Sequence, residues 1–251
     1  MRFGKYVESV GFDSLRNQCA DKQAEQVKTD NQQSEMIAQL EERIAVLEEY
    51  VFKTQTNEMV DAIGAMNSGE SMNVSFPSDV VLKEKALSIK ADTNVTIDLN
   101  NTSIKAEKPS VDVILIEDNA TLIINGDGLV ESANGGDGYP IIANGKLIIN
   151  GGSFKSGYDA DNQANACVYA RGNGQVEIYG GRFESFDGTF VLNIKDADRA
   201  TASIKAMGGE YVNFNPSDNA SEGANTNFVP SGYKVESYQE GENTIYKVVE
   251  E

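Results

Sequence analysis

The chain contains no histidine and no tryptophan, and only two cysteines and five prolines in 251 residues. Without histidine there is no Ser-His-Asp triad, no Cys-His dyad and no His-ligated zinc. Cys19 and Cys167 are too few for a disulfide framework or a Cys-rich metal knuckle, and no cofactor or metal is expected. Positive charge is scarce as well: 21 Lys and Arg stand against 39 Asp and Glu, a formal net charge of −18. That balance argues against nucleic acid and against an anionic membrane as partners, because phosphate contacts need clustered cations. No apolar run approaches the ~20 residues of a membrane span. The start, Met1-Arg2-Phe3-Gly4-Lys5-Tyr6, is basic but has no apolar stretch of ~7–15 residues behind it, so no secretory signal is expected. What remains, a 40% hydrophobic composition, is enough to build a core.

Glycine and proline are also absent from one region. Residues 12–63 hold neither, whereas both punctuate the chain thereafter, and such a shift marks a boundary. Residues 23–57 are rich in Gln, Glu, Ala, Lys and Leu, which favour helix. Ile37, Leu40, Ile44, Leu47 and Val51 recur at steps of 3, 4, 3 and 4, an a/d heptad seam with Ile, Ile and Val at a and Leu at d. Glu41, Glu42, Glu48 and Glu49 lie off it. Traced backward the register turns polar (Gln33, Asp30, Gln26), with Cys19 again at d. A single helix with this stripe packs either on its own domain or on copies of itself. The narrow seam favours self-association, as a dimer or a trimer.

The second part is a repeat. Segments 94–105, 119–130, 144–155 and 173–184 align without gaps, and 202–212 is a weaker fifth copy. One aligned position runs Leu99, Ile124, Ile149, Ile178, Ala206, at spacings of 25, 25, 29 and 28. Each copy alternates two inward apolar residues (Ile97/Leu99, Leu122/Ile124, Leu147/Ile149, Val176/Ile178, Ile204/Ala206), the period of a strand. A Gly-Gly bend or its equivalent follows, then one apolar residue: Ile104, Leu129, Phe154, Phe183, Tyr211. A third short apolar run separates the copies. Three short strands and two bends per 25–29 residues describe one coil of a three-faced parallel β-helix, with like residues stacked inside. Asn100, Asn125 and Asn150 are a candidate Asn ladder at the first bend. A leucine-rich repeat would need a Leu-x-x-Leu-x-Leu spacing, which is absent. An antiparallel sandwich would not require shared residues at a fixed period. The open ends need caps: a short helix over 59–69 at one, and strands over 228–235 and 244–249 around Gly241-Glu242-Asn243 at the other.

The run over 62–104, with its Val-x-Phe-Pro, Leu-x-Ile and Asn-Val-Thr-Ile-Asp-Leu-Asn, resembles the entry of pectate-lyase-like right-handed β-helices. The closing Val-Pro-Ser-Gly-Tyr-Lys-Val…Tyr-Lys-Val resembles the end of β-helix modules of bacterial surface proteins and phages. With a coil in front, the chain resembles bacteriophage virion fibre or spike proteins, the head fibre above all. The resemblance implies an all-β, right-handed parallel β-helix at 59–251, an α-helical coiled-coil stalk at 16–58 and a virion-attachment peptide at 1–15. Phe3, Tyr6, Val7, Val10 and Phe12 would carry attachment to a capsid or neck protein, placing the chain on the capsid surface of the virion. The absence of an export signal suits release by lysis inside an assembled particle, and a nonclassical export system would explain it as well. A structural fibre subunit without enzymatic activity is the leading expectation, and weak adhesion to host or mucosal glycan is compatible with it. The rivals are a polysaccharide-degrading tailspike and a bacterial surface adhesin.

Candidates for chemistry exist. Glu117 and Asp118 are adjacent; Asp159, Asp161, Asn162 and Asn165 form an acidic loop at Ca²⁺-like spacing; Asp187, Asp196 and Asp198 follow. None forms a recognisable catalytic set. Tyr158, Tyr169, Tyr179 and Phe186 could stack on sugars. Ile123 and Ile148 form a small outward apolar pair, either ordinary surface or a patch covered by a subunit contact or the returning coil. Cys167, among apolar neighbours, reads as a core residue.

Overall fold

A computed structural model describes residues 3–159, 161, 165–219, 223 and 226–251, with side chains from residue 14 onward. The chain divides into two compact units, Met1–Val51 and Phe52–Glu251. One helix, α1 (Phe3–Gly64), supplies the whole described part of the first unit and opens the second. No cap helix separate from it forms over 59–69, because no helix breaker intervenes before Gly64. In the second unit its last turns close the base of a solenoid. Ile63 is fully buried, Met59 and Val60 pack against the core, and the Thr56 hydroxyl lies 2.9 Å from Ser78 Oγ.

The solenoid is a parallel β-helix of five full coils. The first is β1 (Ser71–Ser75), β2 (Val80–Leu82) and β3 (Leu87–Ile89). The next two are β4 (Asn94–Asp98), β5 (Ser103–Ala106), β6 (Ile114–Ile116), then β7 (Thr121–Asn125), β8 (Leu129–Glu131), β9 (Ile141–Ala143). They are followed by β10 (Lys146–Ile149), β11 (Ser153–Lys155), β12 (Val168–Ala170), then β13 (Gln175–Ile178), β14 (Arg182–Glu184), β15 (Leu192–Ile194). Strands β16 (Ser203–Ala206) and β17 (Glu210–Val212) begin a sixth. The three faces are sheets β1-β4-β7-β10-β13-β16, β2-β5-β8-β11-β14-β17 and β3-β6-β9-β12-β15, and every pairing among these strands is parallel.

Like residues stack inside, with two corrections to the sequence alignment. The first column is Val74-Ile97-Ile124-Ile149-Ile178-Ala206, so Ile97 and not Leu99 lies beside Ile124. A slip of two residues leaves inside and outside unchanged, so alternation alone could not detect it. Leu99 is buried at the bend instead, followed by Asn100 and Asn101, both with positive φ. On the second face the column is Val80-Ile104-Val130-Phe154-Phe183-Tyr211, with Val130 and not Leu129. Here the bend Gly126-Asp127-Gly128 is one residue longer than Gly151-Gly152. The ladder at the first bend is Asp98-Asn125-Asn150, with Asn150 Nδ2 donating to Asn125 Oδ1 at 2.7 Å; Asn100 lies off it.

Stacking has clear physical causes. The rings of Phe154, Phe183 and Tyr211 lie nearly parallel at 4.9 and 5.1 Å, the spacing of adjacent strands. Outside, charges alternate along Lys105-Glu131-Lys155-Glu184, with ion pairs of 3.0 Å (Lys105–Glu131) and 3.2 Å (Lys155–Glu184). The glycine bends are set by neighbouring backbone: a Cβ at Gly180 would come within 2.4 Å of Asn150 O. At the far end β18 (Tyr233–Glu240) and β19 (Asn243–Glu250) form a hairpin, and β19 runs antiparallel to β17. Phe214, Phe228 and Val229 plug the core, and Phe228 O accepts from Ala206 N at 2.8 Å beside the outer edge of β16.

Candidate functional site

Two kinds of surface stand out: an apolar seam on α1, and polar grooves on the solenoid.

The seam follows from heptad spacing on a continuous helix. Ile37, Leu40, Ile44, Leu47 and Val51 are 56, 48, 53, 61 and 46% exposed. They share one stripe, since residues three and four apart adjoin on a helix. Met36 and Tyr50, also exposed, occupy g positions and widen the stripe on one side, which the a/d reading missed. Burying the exposed half of five such side chains yields roughly 5 kcal/mol per helix before association costs. Residues 3–13 are helical, but the side chains of Phe3, Tyr6, Val7, Val10 and Phe12 lie outside the described set. Cys19 is exposed on the same helix. Among the described residues no helix is long and apolar enough to cross a membrane.

The carboxylates fall into two groups. Glu117, Asp118 and Asp198 line an open groove of about 620 Å³ with Asn144, Arg171 and Lys195. Glu117 accepts from the Ser88 hydroxyl, from Lys90 Nζ at 3.1 Å and from Ala91 N at 3.2 Å. The Ser88 bond is the main cause holding its carboxyl below the usual range. Asp198 accepts from Gly172 N at 2.7 Å, and Arg171 Nε donates to Asn144 Oδ1 at 3.0 Å. Asp159, Asp161 and Asp187 are not part of this groove. Asp159 and Asp187 accept backbone N–H groups two residues on, each at 2.8 Å, as turn residues do. Asp196 pairs with Arg199 at 3.0 Å. Asn165 is buried and donates to Gly136 O and Gly138 O; Asn162 lies outside the described residues. Among the described residues no three Cys, Asp or Glu converge as metal ligands.

The aromatic candidates are dispersed. Tyr179 is exposed on a groove of about 750 Å³ floored by the Gly-Gly bends and reaching β19 at Lys247. Tyr169 stacks on Tyr139 at 4.9 Å, a pair missed in the sequence because Tyr139 lies in a loop. Tyr158 and Phe186 meet at 4.6 Å elsewhere. Ile123 and Ile148 are half-buried neighbours between Thr96 and Glu177. Cys167 is fully buried, and burial pushes its thiol up to about 12, so it is a core residue.

Comparison with family models, with curated proteins and with solved structures finds no match to this chain. The seam therefore carries the functional reading on its physical merits.

Proposed function

We propose that the protein is a structural, non-enzymatic fibre subunit that self-associates through residues 16–58 and presents its β-helix as the projecting part of a virion. The observation that carries this reading is the exposed a/d seam on α1, the helix whose last turns belong to the solenoid unit. A strip of alternating Ile and Leu suits a self-complementary neighbour of the same sequence. The solenoid supports the structural half of the reading. Its strands are short, its stacked core is continuous, and most of the named carboxylates are engaged by backbone groups or ion pairs. In the resembling phage fibres an N-terminal peptide docks the coil to the particle; Phe3, Tyr6, Val7, Val10 and Phe12 take that role here, toward a capsid or neck protein. Weak glycan adhesion has its best-placed aromatic in Tyr179, on the glycine-floored groove.

Two measurements test the proposal. Light scattering coupled to size exclusion gives a dimer or trimer mass for the parent chain and a monomer for Ile44→Asp, with unchanged β-sheet circular dichroism. A monomeric parent at tens of micromolar would remove the fibre reading. Mass spectrometry of purified phage particles from the source culture finds this chain in the virion; its confinement to bacterial surface fractions would favour an adhesin.

A further inference from the structure

The charged residues beside the seam say how identical helices meet. Taking Ile37, Ile44 and Val51 as a, and Leu40 and Leu47 as d, Arg43 is at g and Glu48 at the following e. Glu41 is the other charged e residue of this stretch. In a parallel, in-register coil each g residue faces the e residue five positions on in the neighbouring helix. Arg43 of one chain then meets Glu48 of its neighbour, and symmetry repeats the pair around the coil. An antiparallel arrangement instead sets e against e and g against g, so that Glu41 and Glu48 cluster and Arg43 loses its acidic partner. Met36 and Tyr50, the neighbouring g residues, carry no charge to oppose the parallel pairing.

We infer that residues 36–51 of identical chains associate parallel and in register, with Arg43 of one helix paired to Glu48 of the next across an Ile/Leu/Val seam. This rests on the self-association reading above and adds orientation and register to it. The occupant of the seam is a second copy of this chain: each helix brings the same exposed Ile, Leu and Val stripe, and of the parallel and antiparallel orientations only the parallel one sets Arg43 against Glu48. Cys19 falls at d in the same register, and Gln33 falls at d one heptad before Leu40.

A charge-swap cycle on the full chain tests the pairing. Arg43→Glu and Glu48→Arg each turn the attractive contact at every helix–helix junction into a repulsion and raise the dissociation constant, read by sedimentation equilibrium, on the order of tenfold. The double variant restores the pair with inverted sign and returns close to the parent value. A parent that associates while the double variant stays as weak as the weaker single overturns the parallel register and leaves self-association standing. A monomeric parent overturns both. Thiol exchange gives a second readout. In a Cys19→Ser background, Gln33→Cys places thiols across the seam, whereas Glu35→Cys, at f, points them apart. With oxidised glutathione as oxidant, two protein thiols form one disulfide and the glutathione disulfide is reduced to two thiols. Cys167, fully buried with its thiol pushed up to about 12, stays unreactive in the folded chain. Cross-linking is expected at least tenfold faster at position 33 than at 35; equal rates would overturn the register.

Discussion

Single residues show how the solenoid balances its interior. Phe183 lies between the parallel rings of Phe154 and Tyr211, fully buried. Its neighbours above and below are fixed in their own coils, so the space left by truncation cannot collapse. Phe183→Ala is expected to cost about 3–5 kcal/mol, read as a shift in the denaturant midpoint. Asp112 is the opposite case. Burial raises its carboxyl above the ordinary range, against the lowering effect of Tyr139 N, which donates to it at 3.0 Å. Its folded-state pKa thus exceeds the unfolded one, so its charge opposes folding at neutral pH and the cost fades as pH falls through the folded value. Asp112→Asn keeps an acceptor for Tyr139 N. It is expected to melt higher than the parent at pH 7 and to coincide with it below about pH 3.5, where both side chains are neutral.

At the scale of elements, the C-terminal hairpin has a definite task. β17 would otherwise end the second face as an open parallel edge, a template for another chain. β19 occupies that edge antiparallel, and β18 then presents a strand with exposed charged residues (Lys234, Glu236, Glu240) to water. Truncation after Gly232 is expected to leave the inner coils folded but to make the protein aggregate, visible as concentration-dependent scattering below the melting temperature. The same elements show what the sequence could reveal. Strand positions from Asn94 onward were legible because inward residues recur in every coil. The registry of the second coil (β4) against the third (β7) was not, because a two-residue slip preserves the alternation and the left-handed pair Asn100-Asn101 replaces a recognisable glycine bend. The five seam residues were legible from spacing. The Glu117 groove was not, since it joins corners of several coils that are far apart in sequence.

For the whole molecule, the coil is the unit that counts. Each solenoid strand pairs only with the coil before and the coil after, so stability accumulates by layer. Thr121 pairs with Lys146, so residues 121–145 span one complete coil. Duplicating that segment in tandem is expected to add a layer, preserve cooperative unfolding and keep or raise the melting temperature, whereas duplicating only 121–133 should destroy the fold; thermal melts followed at a β-sheet wavelength distinguish the two. The reversed strand at the far end gives this a further meaning. A parallel stack by itself has no reason to stop, and β19, by changing polarity, writes a terminus into it. The solenoid is therefore a ruler graduated in steps of about 4.8 Å. Its reach can change only by whole graduations inserted ahead of a fixed end mark.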